Sequence, residues 1–143
     1  MTDHPQPFSR LLHLTAHAWR LAVDRRLKES GLSMSSWLAI ASIATASEPP
    51  TQKALAQLLG LEEASVVPLV DRLVKQQLLA GVQPKEDRRK RLLVLTEQGG
   101  EAFATVKTQA DALRAQLLAD IDPAALAVTE NVLQQLLERL GNV

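Results

Sequence analysis

The sequence predicts a mainly helical chain interrupted by one small β-hairpin. Two broad observations carry this expectation. The composition is 46% apolar and dominated by Ala and Leu, which favours helix. Apolar residues also recur three and four apart through most of the chain, the period of a helix buried on one face. A third observation supplies the hairpin. Leu78-Leu79-Ala80 and Leu92-Leu93-Val94-Leu95 are short apolar runs on either side of Pro84-Lys-Glu-Asp-Arg-Arg-Lys-Arg91, the densest positive charge in the chain.

The organising stretch is residues 50–96. Residues 51–59 read as one helix, with Ala54, Leu55, Leu58 and Leu59 on its apolar face. Gly60 supplies a tight corner, because no Cβ obstructs it. A second helix spans about residues 62–76, with Val66, Leu69, Val70 and Leu73 at helical spacing. A helix-turn-helix followed by a basic-tipped hairpin is a winged helix-turn-helix. Its second helix is shaped for a DNA major groove, and its wing for the backbone or minor groove.

The remaining elements follow in order. Residues 1–7 hold two prolines and are expected to be extended. Ser9 is a candidate cap for a helix to about Ser30, carrying Leu11, Leu12, Leu14, Ala18, Leu21, Ala22 and Leu27. Arg20, Asp24 and Lys28 form four-apart charge pairs on its polar face, and Gly31 ends it. Ser33 or Ser35 caps a second helix containing Trp37, Leu38, Ile40, Ala41 and Ile43, which stops at Ser47-Glu-Pro-Pro50. Thr51 caps the next helix. After the hairpin, Thr96 caps a long helix with Glu97 in its first turn, and Gly99-Gly100 is expected to weaken that turn. Asp122 and Pro123 open a last helix with Leu126, Leu133, Leu136, Leu137 and Leu140 on one side.

Residues 8–32 and 97–143 exceed what a small winged helix over 33–96 can cover. Their apolar stripes are expected to pack against a second copy, setting two recognition helices about one DNA turn apart over an inverted repeat. An intramolecular helical bundle is the alternative.

Charge and composition narrow the function. Formal net charge is zero, but residues 51–95 hold eight Lys/Arg against five Asp/Glu, whereas residues 96–143 hold three against seven. One basic surface can therefore face phosphate while the rest faces solvent or a partner. Cys is absent, which excludes disulfides, thiolate catalysis and cysteine redox sensing. No apolar run approaches a membrane span and the start does not resemble a signal peptide, so a cytoplasmic protein without membrane association is expected. Asp71, Glu86 and Asp87 offer carboxylates but no paired nucleophile and base, and there is no Gly-rich phosphate loop; no enzyme is expected. His13 and His17 have metal-ligand spacing but no third ligand nearby, so neither a metal nor another cofactor is expected.

Thr51-Gln-Lys-Ala-Leu-Ala-Gln-Leu-Leu-Gly-Leu61, Val70-Asp-Arg-Leu73, and Asp87-Arg-Arg89 followed by Leu95-Thr-Glu-Gln-Gly99 together resemble the MarR family of bacterial transcription regulators. The resemblance runs from about Leu11 to the end and is strongest over residues 51–99. It implies a homodimer that binds a palindromic operator in double-stranded DNA, as repressor or activator. It also implies an effector that loosens DNA binding, often an aromatic carboxylate or phenol. Arg89 matches the family's wing arginine, which enters the minor groove with Asp87 holding its guanidinium. Candidate DNA contacts are Thr51, Gln52 and Lys53 at the start of the first helix of the motif, and Ser65, Pro68, Leu69 and Arg72 in the second. The wing adds Lys85, Asp87, Arg88, Arg89 and Arg91. Pro68 and Leu69 depart from the family pattern, in which a polar or basic residue and Thr are usual, and Gln77 stands where Gly is usual. The family cleft lies beside the first two helices, making His13, His17, Met34 and Trp37 the ligand-pocket candidates. The competing reading is a winged-helix interaction module that keeps the dimer without binding DNA, favoured by Pro68 and a near-neutral recognition helix.

Overall fold

A computed structural model describes residues 7–141; the expectation that the first residues are extended lies, apart from Pro7, outside them. The order of elements is α1 (Phe8–Arg26), a 3-10 turn (Lys28–Ser30), α2 (Met34–Thr45), α3 (Gln52–Leu59), α4 (Glu63–Lys75), β1 (Leu79–Val82), β2 (Leu92–Leu95), α5 (Glu97–Leu118) and α6 (Pro123–Leu140). The fold is mainly α with one antiparallel hairpin, a winged helix-turn-helix flanked by helices. The chain forms two compact units, residues 1–111 and 112–143.

In the first unit the core joins the apolar stripes of four helices and the hairpin. Leu27, Ile40, Leu55, Val66, Val70, Leu73, Leu79 and Leu93 are all buried. Helix α1 starts at Phe8 with Pro7 before it and no side-chain cap, so Ser9 is not the cap. Proline disfavours helix in the residue preceding it, and a helix entered through Pro7 has Ser9 already inside its first turn. Nor does α1 reach Ser30. It stops at Arg26 and tightens into the 3-10 turn, closed by Gly31 at φ 77°. Asp24 does not serve a charge pair on its own helix. Its Oδ1 accepts the Met34 N–H at 2.6 Å and so satisfies an open donor at the start of α2. Ser33, the other cap of α2, accepts from Ser36 N–H at 3.2 Å.

The helix-turn-helix ends both its helices by the same device. At α3, Gly60 N–H donates to the Gln57 carbonyl and Leu61 N–H to the Ala56 carbonyl, with Gly60 at φ 66°. At α4, Gln77 N–H donates to the Val74 carbonyl and Leu78 N–H to the Leu73 carbonyl, with Gln77 at φ 63°. A residue with a Cβ is strained there by about 1 kcal/mol, which glycine avoids. The hairpin pairs Leu79 with Leu95 through Val82 with Leu92. Its first strand starts one residue later than expected because the Leu78 amide is committed to the end of α4. Gly81 and Val82 then extend it to meet Leu93 and Leu92. A bridge between Thr51 and Leu92 ties the start of α3 to the base of the wing.

Thr96 caps α5 by accepting from Gly99 N–H at 3.0 Å, while its hydroxyl donates to the Gln77 carbonyl. Gly99, expected to weaken this turn, is instead buried, and a Cβ there would lie 2.1 Å from the Leu78 carbonyl oxygen. The glycine lets α5 leave past the corner between α4 and β1.

The second unit contains the end of α5 and all of α6. Asp122 accepts from Ala124 N–H at 3.4 Å, and Pro123 occupies the first turn, as expected. No described residue of this unit is buried. Leu117, Ile121, Val128, Val132, Leu133, Leu137 and Leu140 are all exposed.

Candidate nucleic-acid interface

The wing tip is ordered by one carboxylate. Asp87 Oδ1 accepts the Arg89 backbone N–H at 3.0 Å and its Nε–H at 3.3 Å. An Asp that bonds the amide two residues on makes its own turn, so a single side chain both shapes the loop and orients the arginine. The Arg89 side chain is 93% exposed, so the guanidinium is presented rather than stored. Lys85 and Arg88 are also exposed at the tip. Arg91 is placed differently. Its side chain lies over Gly81, where a Cβ would come within 2.2 Å of Nε. Lys90 sits at the wing base, beside a cavity of about 750 Å3 that also borders Glu48, Pro50, Thr51 and Gln57.

Helix α4 buries Val66, Leu69, Val70 and Leu73. The opposite face, at spacings of four, three and four, is Ala64, Pro68, Asp71 and Lys75, all exposed. Val67 flanks it on one side at 40% exposure, and Ser65 and Arg72 flank it on the other. Leu69 is only 4% exposed, which removes it from the candidate DNA contacts. The period that put Leu69 among the apolar residues of this helix is the one the fold obeys. Pro68 faces outward without breaking the helix. Having no N–H, it leaves the Ala64 carbonyl without its usual donor four residues on.

At the start of α3, Thr51 is half-buried and its hydroxyl accepts from Ala54 N–H at 3.1 Å, so its side chain is already engaged as the cap. Lys53 is exposed and Gln52 half-buried. His13 and His17 are exposed and stack on each other, ring centroids 6.4 Å apart. Trp37 is half-buried and stacks on Phe103 at 5.6 Å, a partner that sequence spacing did not indicate. Both the cavity at the wing base and a notch of about 360 Å3 beside α4 are lined by other residues. Among the described residues no three His, Asp or Glu side chains are placed to hold a metal ion.

Comparison with known proteins agrees with this geometry. A profile described as MarR family matches residues 30–90. The crystal structure of transcriptional regulator PA3341 is 36% identical and superposes with a TM-score of 0.87, over 96% of this chain and 100% of that one. CouR from Rhodococcus jostii RHA1, solved with p-coumaroyl-CoA bound, shares the fold at 24% identity and a TM-score of 0.85, over 94% and 95% of the two chains. AbsC from Streptomyces coelicolor does so at 20% identity and a TM-score of 0.88, over 100% and 98%. A helix-turn-helix with an aspartate-braced wing, matched in sequence and in fold along nearly the whole chain, belongs to the MarR family of transcription regulators.

Proposed function

We propose that the protein is a homodimeric repressor that binds a palindromic operator in double-stranded DNA. The observation that carries this reading is Arg89, exposed at the wing tip and held by Asp87 next to an intact helix-turn-helix. Arginine suits a narrow, electronegative minor groove, and a braced fork loses less freedom on binding. Residues 33–96 would bind DNA, and residues 8–32 and 97–143 would form the dimer. Support for the dimer comes from Phe8, Leu11, Leu12 and Leu14 on α1 and from the exposed leucines and valines of α6. A unit of thirty-two residues that buries none of its described side chains cannot hold a core alone. Binding over a promoter would repress by occlusion. It would also place the protein in the cytoplasm, and no helix among the described residues is long and apolar enough to cross a membrane.

A small aromatic effector fits the same reading. CouR, of the same fold, was solved with an aromatic CoA ester. His13, His17, Met34 and Trp37 would line the effector cleft once a second protomer closes it. The effector releases DNA only if it favours the conformation that does not bind DNA.

The test is selection of bound genomic fragments by purified protein, followed by anisotropy titration of the recovered duplex at two salt concentrations. Salt-sensitive binding to an inverted repeat is expected. Failure to enrich any repeat would support the second reading, an interaction module. That reading draws on the outward face of α4, where Ala64, Val67 and Pro68 are exposed and Asp71 offsets Lys75.

A further inference from the structure

A notch of about 360 Å3 lies between α1, the start of α2 and α4. Its polar wall consists of Arg20, Ser35, Ser65 and Arg72, and Leu61, Pro68 and Leu69 supply the apolar surface. Ser65 and Arg72 are seven apart, two helical turns along one flank of α4, so the sequence itself puts them on the same side. Arg20 arrives from α1. Its expected partner is Asp24, one turn further on, but Asp24 faces the Met34 N–H instead. Among the described residues neither the Arg20 side chain nor the Arg72 side chain makes a hydrogen bond or ion pair. Two guanidiniums thus border one notch with no carboxylate holding either of them. Ser35 lies in the first turn of α2, where the positive end of the helix adds to the same field. The Asp24 carboxylate at that helix start offsets part of this field, but the charge of the two arginines exceeds it.

Unpaired arginines on a surface are ordinary when each stands alone in water. Here they share a concave site with two hydroxyls, a helix start and an apolar floor. The donor set is larger than a single carboxylate can use and suits a tetrahedral oxyanion, which two planar forks can grip from different sides. We propose that the notch binds a phosphoryl group. Two sources offer the same chemistry. One is a backbone phosphodiester of DNA lying along α4, which rests on the DNA-binding reading. The other is a phosphorylated small molecule, whose remainder would fill the volume against Leu61, Pro68 and Leu69; this source does not depend on DNA binding. In either case Arg20, which lies outside the helix-turn-helix, becomes a binding residue. A small ligand in the notch would compete with DNA for Arg72 and Ser65 directly, with no change of fold.

The experiment uses the full chain, the single variants Arg20→Gln and Arg72→Gln, and the double variant. Circular dichroism checks folding, and Arg20→Lys supplies a variant that keeps the charge without the fork. In one arm phenyl phosphate is titrated against isotope-labelled protein. Saturable shifts of the Arg20 and Arg72 Nε–H signals and of the Ser35 and Ser65 amides are expected, absent in the double variant and weakened in Arg20→Lys. In the other arm a labelled duplex is titrated across a salt series, and the slope of log affinity against log salt should fall by about one for each phosphate that a variant no longer neutralises. A response in the first arm alone assigns the site to a small phosphorylated ligand. A response in the second alone assigns it to the DNA backbone. A response in both predicts that phenyl phosphate weakens duplex binding. Shifts that persist in the double variant, or no saturation together with an unchanged slope, would overturn the proposal. Protein that binds no duplex would sink the DNA-binding reading while the phenyl phosphate arm still decided the notch.

Discussion

Replacing Arg89 with Ala separates the wing from the rest of the molecule more cleanly than any other change. The side chain is 93% exposed and, among the described residues, pairs only with Asp87, so folding stability should move by no more than about 0.5 kcal/mol. An exposed pair of this kind contributes little to stability in any case. Binding is another matter. Removing one well-placed arginine from a groove costs about 1–3 kcal/mol, and a homodimer presents two wings, giving about 2–6 kcal/mol per operator. At about 1.4 kcal/mol per factor of ten, that is a loss of roughly 30-fold to more than 10,000-fold. Asp87 refines the reasoning, because its Oδ1 serves both the backbone amide and Nε of Arg89. Asp87→Ala removes both bonds and should weaken operator binding less than Arg89→Ala, since the charge stays. Asp87→Asn keeps an oxygen for the amide but removes the negative charge, so affinity for scrambled duplex should rise relative to operator. The assay is anisotropy at fixed salt against the selected operator and a scrambled duplex, with sedimentation confirming the same assembly for each variant. Full operator affinity in Arg89→Ala protein would show that recognition does not run through the wing.

Three further changes test other levels of the structure. Gly99→Ala places a Cβ 2.1 Å from a backbone oxygen that cannot swing aside, so a urea melt should show a loss of about 1–3 kcal/mol; an unchanged midpoint would mean that α5 does not pass Leu78 so closely. Leu137→Glu puts a charge on a residue 65% exposed in the single chain, and should turn sedimentation at twice 15.6 kDa toward the monomer. A dimer of undiminished strength would exclude α6 from the interface. Pro68→Ala restores a helix hydrogen bond and should raise stability by about 1–3 kcal/mol while narrowing discrimination among operator variants; lower stability would show that the ring is packed rather than merely tolerated.

The architecture is legible in the sequence because two different periods alternate along the chain. Val66, Leu69, Val70 and Leu73 repeat at the helical period and are all buried, and the apolar runs around the basic stretch form the paired strands. The caps at Ser33, Thr51, Thr96 and Asp122 are readable for a similar reason: each is a side chain bonding an amide two or three residues on, which is local information. What sequence spacing misses is non-local. Asp24 has the spacing of one member of a charge pair, yet its acceptor oxygen is used ten residues later by an amide of the next helix. Gly99 has the character of a helix breaker because its requirement comes from Leu78, twenty-one residues earlier and across a corner. The Gln77 side chain has no preference for a left-handed conformation, so only the glycine usual at that place in the family hints at one; the two hydrogen bonds closing α4 impose it. Arg20 escapes notice by the same logic as Asp24, because a four-apart pair in sequence hides a residue that the fold leaves unpaired.

Helix α4 shows how thirteen residues can serve several surfaces without conflict. One stripe is fixed in the core, and hydrogen bonds from Gln77 and Leu78 lock the far end, so the outward and flanking faces are carried on a rigid element. Proline inside such a helix costs about 3 kcal/mol in an ideal interior, and burial of four apolar side chains on the opposite face is large enough to hold the helix through it. The missing N–H also has a chemical consequence. It opens the Ala64 carbonyl on the outward side, close to the exposed Val67 and Pro68, with Asp71 two turns after Ala64 on the same face. That face offers acceptors and apolar surface but only one cation, Lys75, at its end. In a major groove such a surface would suit the amino groups of cytosine and adenine and the methyl of thymine, and would lack the arginine fork that reads guanine. Attraction to phosphate must then come from elsewhere, which is where the positive charge lies: at the wing tip around Arg89 and on the flank with Arg72 and Arg20. On this reading affinity and specificity are carried by different elements, so charge removal in the wing should lower binding to every sequence, whereas changes on the outward face of α4 should change which sequence is preferred.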